Sequence, residues 1–242
     1  MANQVTDQIA LVTGANRGIG KTIVDALLEK GIKKVYATAR DPETIDTSDP
    51  RVVPLPLDLT KAESVAAAAE QAQDVEIVIN NGGVLRVSNP LEASAFEDLE
   101  FEMNVNVLGL IRMAQSFAPI LKANGGGALV QLNSIASLKA FGSFSTYSAS
   151  KAAAYSITQS LGQVLKEQGT QIVSVHPGPI DTDMAKTAQF EHSECPTIVA
   201  SSIIDALVHG HLHTFPDAMA RQLREPYLPF AENVVEPELA PA

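Results

Sequence analysis

"QIALVTGANRGIGKTIVDALLEK", residues 8–30, sets an apolar run, a glycine-rich turn and an amphipathic run in direct succession. The first six residues are almost continuously apolar, as in a parallel strand covered on both faces. The last ten place Ile23, Val24, Leu27 and Leu28 on one stripe of a helix that packs on a sheet, and Gly31 stops it. Between them "TGANRGIG" carries Gly14, Gly18 and Gly20, out of step with the G-x-G-x-x-G order. The context matters more than the spacing. A glycine turn at the carboxyl end of a strand lets the backbone approach a pyrophosphate, and the helix behind it offers unpaired N–H groups and a positive dipole end.

The same alternation runs outward along the chain. Strand-length apolar runs recur at 33–39, 51–57, 75–80, 127–133 and 171–176, with "HLHTFPD" as a final edge strand. Helical stretches lie between them. Thr60 and Glu63 read as a capping box ahead of "SVAAAAEQAQ", whose alanines at 66–69 are helix filler. Two long helices are predicted over 96–123 and 147–168. Strand–helix alternation implies a doubly wound parallel α/β sheet of about seven strands with helices on both faces. No linker divides residues 1–242, so one domain is expected. Residues 178–200 have no clean period and read as a substrate lid, and the proline-rich, acidic end 225–242 reads as a loose or partner-bound tail.

Composition narrows the partners. A formal charge of -11 argues against nucleic acid and anionic membrane, whose attraction depends on Lys and Arg. The single cysteine, Cys195, makes no internal disulfide and suits a reducing compartment, and "MANQVTDQIALVT" has no basic segment leading into a long apolar one. The expectation is a cytoplasmic protein that neither binds nucleic acid nor enters a membrane.

Further segments resemble the short-chain dehydrogenase/reductase family, in its short single-domain branch, over nearly the whole chain. The family's T-G-x-x-x-G-x-G turn is matched at Thr13, Gly14, Gly18 and Gly20, and its N-N-A-G by Asn80, Asn81, Gly82 and Gly83, with glycine replacing alanine at Gly82. "LDLT" supplies Asp58, and "NVNVLG", "LNSIAS" and "YSASK" supply Asn106, Ser134, Tyr147 and Lys151. The resemblance implies a nicotinamide-dependent oxidoreductase in which Asn106, Ser134, Tyr147 and Lys151 are catalytic. It implies cofactor contacts from Asn16, Arg17, Ile19, Leu59 and Asp58, the last at adenine, and from Asn81, Gly82 and Gly83. In "HPGPIDTDM" it adds Pro177, Gly178, Ile180 and Thr182, the last two at the carboxamide and diphosphate.

The chemistry suits these residue types. Tyr147 and Lys151 lie one turn apart on a helix face. A phenol with an ordinary pKa near 10 is a poor proton donor and acceptor at neutral pH, so the expected part of Lys151 is to stabilise phenolate. On the family pattern Tyr147 protonates the carbonyl oxygen, Ser134 stabilises the developing alkoxide, Lys151 holds the nicotinamide ribose, and Asn106 positions a water beside Lys151.

Charge chooses the cofactor. An acid ending the second strand would repel a 2′-phosphate, but "VYATAR" ends in Ala39 and Arg40. With Arg17 of the glycine turn, Arg40 forms an expected phosphate clamp, which predicts NADP(H).

Leu138, Phe141, Phe144, Met184 and Phe190 suggest an apolar pocket for a ketone or aldehyde. Two alternatives stand beside that reading: reduction of a 3-oxoacyl group on a carrier protein, and an NADPH sensor without turnover. The family pattern implies a homodimer or homotetramer built through the two long helices. No metal is expected. His209, His211 and His213 lack nearby thiolates, and Cys195 is read as incidental.

Overall fold

The computed structural model describes residues 5–190 and 192–237. Seven strands form one parallel sheet in the order β3-β2-β1-β4-β5-β6-β7. They are β1 (Ile9–Thr13), β2 (Lys34–Ala39), β3 (Val52–Pro56), β4 (Ile77–Asn80), β5 (Ala128–Leu132), β6 (Gln171–Val175) and β7 (His213–Thr214). The order reverses between β1 and β4, which opens a crevice at the carboxyl edge of the sheet.

Each strand sends alternate residues into one of two apolar layers. Ala10 and Val12 of β1 join Val35, Ile79 and Val130 beneath α1 (Gly18–Glu29) and α7 (Thr197–His209). Ile9 and Leu11 face the other way, with Val78 and Leu129. There they meet α2 (Ala62–Gln71), α4 (Gly109–Ala123) and α5 (Ser145–Val164), with Phe117 and Leu110 fully buried. Burial on both faces is why the strands read as continuous apolar runs.

Four local expectations are corrected. Thr60 does not cap α2; its amide and hydroxyl both donate to Asp58 Oδ1, at 2.9 and 2.7 Å, because a turn closed by the aspartate outcompetes the helix start. The long helix over 96–123 is divided: α3 (Ala95–Glu102) leads into a π-helical turn, Met103–Leu108, before α4. The final edge strand expected over "HLHTFPD" is reduced to His213–Thr214, and His209 closes α7. The reading of 225–242 as loose fails where the chain is described: α8 (Ala218–Phe230) continues into a π-helical turn to Val235. Tyr227 anchors it, its hydroxyl 2.5 Å from that of Tyr155. Residues 238–242 of that segment lie outside the described residues.

Candidate active site

The crevice is a cleft of about 1100 Å³. Its floor is the glycine turn. Gly14 holds φ +63°, a conformation that side chains disfavour, and a Cβ at Gly20 would fall 2.1 Å from the Gly14 carbonyl oxygen. The turn is stapled from β4: Asn81 Nδ2 donates to the Thr13 carbonyl at 2.9 Å, and Gly82 N donates to Thr13 Oγ1 at the same distance. Thr13 Oγ1 in turn donates to Asn80 Oδ1 at 3.1 Å, deep in the sheet. Thr13 and Asn81 therefore shape the floor. At Gly82 an added Cβ would lie 2.9 Å from Leu59 Cδ1, so glycine there lets Leu59 close over the turn.

Tyr147 and Lys151 enter from α5, and both are buried. Lys151 Nζ donates to the Leu132 carbonyl at the end of β5, at 2.7 Å, and stands 5.8 Å from the centre of the Tyr147 ring. Burial pulls the ammonium down to about 8. Burial likewise pushes the phenol up to about 12, against a smaller opposing pull from the Ser134 hydroxyl. Lys151 is not among the groups that shift this phenol in the protein alone; burial governs it, and the charge of Glu102 adds to the rise. A phenol raised in this way stays protonated at neutral pH, and it gives up that proton less readily than an ordinary phenol unless the phenolate is stabilised.

Ser134 follows β5, with its Oγ accepting from Ala136 N at 3.1 Å. Behind it lies a residue the sequence reading passed over, the fully buried His176. Its Nδ1 meets Ser137 Oγ at 2.9 Å and the Ser134 carbonyl at 3.2 Å, while Nε2 meets Ser174 Oγ at 2.8 Å. Burial drops this imidazole to about 3, so it is a neutral strut for the Ser134 loop.

Asn106 sits in the π-helical turn, a distortion that recurs at functional sites. Its Nδ2 donates to the Val84 carbonyl at 3.0 Å and to Ser150 Oγ at 2.9 Å, and its Oδ1 accepts from Val84 N at 3.0 Å. It does not line the cleft. A Cβ at Gly83 would lie 3.2 Å from Asn106 Oδ1 and 3.5 Å from Lys151 Nζ, so the bare backbone there keeps amide and amine adjacent.

Most other expected residues do line the cleft: Gly14, Asn16, Arg17, Gly18, Ile19, Arg40, Asp58, Leu59, Asn81, Gly82 and Gly83 on the turn side. Pro177, Gly178, Ile180, Thr182, Phe141, Phe144, Met184 and Phe190 line the opposite side. Two are placed otherwise than expected. Leu138 packs in a separate cluster with Ile135, Phe215 and Ala220. Arg17 and Arg40 share the cleft, but Arg17 Nη1 reaches Asp183 Oδ2 at 2.7 Å, at the start of α6 (Asp183–Thr187). Thr182 caps that short helix, its Oγ1 accepting from Ala185 N. Hydrogen bonds from Thr60 hold the Asp58 carboxyl below its usual range, with Lys61 and Arg40 lesser contributors. Phe101, His192 and Met219 also line the cleft and were not singled out, since none lies in a patterned motif.

The family model for short chain dehydrogenases matches residues 8–192. The chain belongs to the short-chain dehydrogenase family. The matched stretch includes the glycine turn, Tyr147 and Lys151. An uncharacterized oxidoreductase of Staphylococcus aureus is 31% identical over 215 residues, 85% of this chain and 91% of that protein. A short chain dehydrogenase from Burkholderia cenocepacia, solved in complex with NADP, is 36% identical with a TM-score of 0.89, over 97% of this chain and all of that one. A member from Burkholderia phymatum, solved with NAD, shares the fold at 23% identity and a TM-score of 0.81, over 98% of this chain and 100% of that one. Among the described residues no helix is long and apolar enough to cross a membrane, and no group of His, Cys, Asp and Glu could hold a metal ion.

Proposed function

We propose that the protein is an NADPH-dependent carbonyl reductase, reversibly an alcohol dehydrogenase, acting on apolar ketones or aldehydes in the cytoplasm. The observation that carries this reading is the buried Tyr147–Lys151 pair opening on the same cleft as the glycine turn. The turn fits a dinucleotide: Gly14 and Gly18, both at positive φ, bring bare backbone to the cleft, and α1 begins there with no acidic residue in its first turn. Gly14, Asn16, Gly18 and Ile19 hold the diphosphate side, Asp58 and Leu59 the adenine, and Arg17 and Arg40 the 2′-phosphate. Asn81, Gly82, Gly83, Pro177, Gly178, Ile180 and Thr182 frame the nicotinamide end. When bound, the reduced dinucleotide supplies the hydride.

The chain's own residues do the rest. Phe141, Phe144, Met184 and Phe190 hold the apolar substrate with its carbonyl oxygen toward Ser134 and Tyr147. Ser134 Oγ donates a hydrogen bond to that oxygen, and Tyr147 transfers its phenolic proton to it. Lys151 stabilises the phenolate left behind, and Asn106 holds a water beside Lys151 through which the proton is restored. Residues 178–200 form the lid. Its ties to the body support this: Arg17 to Asp183, and Phe190 against Phe144 with ring centres 5.4 Å apart. Two or four copies associate through the helices that hold Asn106 and Tyr147, where Phe96, Leu108 and Val164 are exposed.

The test is an NADPH-oxidation screen over aliphatic, aryl and bicyclic ketones, aldehydes, keto esters and acyl thioesters. Turnover of at least one ketone or aldehyde class is expected. Turnover of acyl thioesters alone would move the assignment to 3-oxoacyl reduction, and tight NADPH binding with no turnover on any class would make the protein a sensor.

A further inference from the structure

Glu102 is a carboxylate that the proposed reaction does not use, and none of its surface reaches solvent. Acidic side chains are almost never buried so completely unless paired. It ends α3, facing α5 and the segment 84–88. Its Oε1 accepts from Arg86 N at 2.7 Å, but its Oε2 has no hydrogen-bond partner. The Thr146 hydroxyl lies close enough to favour the carboxylate without closing a hydrogen bond to it, and the Ser88 hydroxyl is buried without a partner. All three lie in one seam, closed by Ser145 N donating to the Ser88 carbonyl at 3.0 Å.

The charged groups around this seam are few. From α3 comes Asp98, and from the 84–88 segment Arg86, whose guanidinium is turned to Asp98 at 3.9 Å and to the face of Phe101 at 4.8 Å. The π-helical turn brings Asn104 and Asn106, which do not titrate. α3 and the π-helical turn both pack on α5, which carries Tyr147 and Lys151. The charge of Glu102 acts on both, favouring the ammonium of Lys151 and opposing ionisation of Tyr147. Burial raises Glu102 itself, while the Arg86 amide and the Thr146 hydroxyl oppose that rise.

We propose that Glu102 is a positioning residue for the reaction, a buried negative charge that acts on the Tyr147–Lys151 pair from behind and fixes the pH range in which the pair is catalytically competent. The inference rests on the proposed role of that pair. With Glu102 ionised, Lys151 keeps its proton to higher pH and Tyr147 keeps its own. Removing the charge moves both titrations to lower pH.

Lys151 can be titrated without cofactor or substrate. Carbamylation by cyanate, followed by peptide mass spectrometry across a pH series, reads the free amine, with the exposed Lys139 as internal control. The wild-type midpoint is expected near about 8. Glu102→Gln should lower it by roughly half a pH unit or more, and Glu102→Asp should hold it near the wild-type position. The alkaline fall of carbonyl reduction should move in the same direction. Midpoints that coincide in wild type and Glu102→Gln would overturn the inference, whatever happens to kcat. If Glu102→Gln does not fold, Glu102→Met takes its place, removing the charge and the unmatched oxygen together: the same shift to lower pH is expected, and an unmoved midpoint refutes the idea. Full activity in Tyr147→Phe would instead overturn the reading beneath it, leaving the Lys151 titration to be judged separately.

Discussion

Single atoms set the floor of the cleft. The spacing of Gly14, Gly18 and Gly20 was legible in the sequence, but its physical reason is a backbone oxygen: a methyl at Gly20 would sit 2.1 Å from the Gly14 carbonyl, which cannot move without displacing the turn. Gly20→Ala should therefore cost at least ~2 kcal/mol of stability in denaturant titration, and a neutral result would mean that the turn is looser than described. That Ser134, Tyr147 and Lys151 come to one cleft was legible through the family motifs that hold them, Ser134 just past β5 and the other two on α5. Glu102 and His176 were not. Nothing in a sequence distinguishes a buried acid or imidazole from a surface one until the elements around it are assembled.

At the scale of elements, strands and most helices were legible because both faces of the sheet are covered and the apolar runs are long. The misreadings fall where local preference lost to a competing contact. Asp58 took Thr60 from α2, and the π-helical turn interrupts a run whose helical period looked unbroken. The prolines Pro226 and Pro229 suggested an open tail, but Tyr227 and its partner Tyr155 hold that segment as helix. Arg17 belongs to this scale too, because it ties the glycine turn to α6. Exposed ion pairs of this kind contribute little and exchange partners readily, so a phosphate dianion can compete with Asp183 for Arg17. Replacing Arg17 and Arg40 together by alanine should raise KM for NADPH by at least tenfold more than KM for NADH. Equal effects on the two would refute the clamp.

Over the whole molecule the fold responds to acid through groups held in one protonation state. His176 is buried and neutral, with its titration moved down to about 3. Between its ordinary value of 6.5 and about 3 the unfolded chain binds a proton that the native imidazole does not, so stability falls as pH drops through that window. The slope from this one group is about 1.4 kcal/mol per pH unit at its steepest. Melting curves from pH 7 to about 4 should show a steep loss in wild type and a flatter one in His176→Leu, whose stability at neutral pH is lower because Ser137 and Ser174 lose their partner. Parallel slopes would contradict a neutral His176.

The phenol of Tyr147, beside the amine of Lys151 in a dinucleotide cleft, is the centre of the account, and binding measured apart from chemistry tests it most directly. NADPH titrated into wild type and Tyr147→Phe by nicotinamide fluorescence should give dissociation constants within about threefold. In a single turnover with excess enzyme and a ketone turned over by wild type, loss of the reduced-nicotinamide absorbance should be slower in Tyr147→Phe by roughly a hundredfold or more. Equal single-turnover rates, or no saturable NADPH binding by wild type, would contradict it.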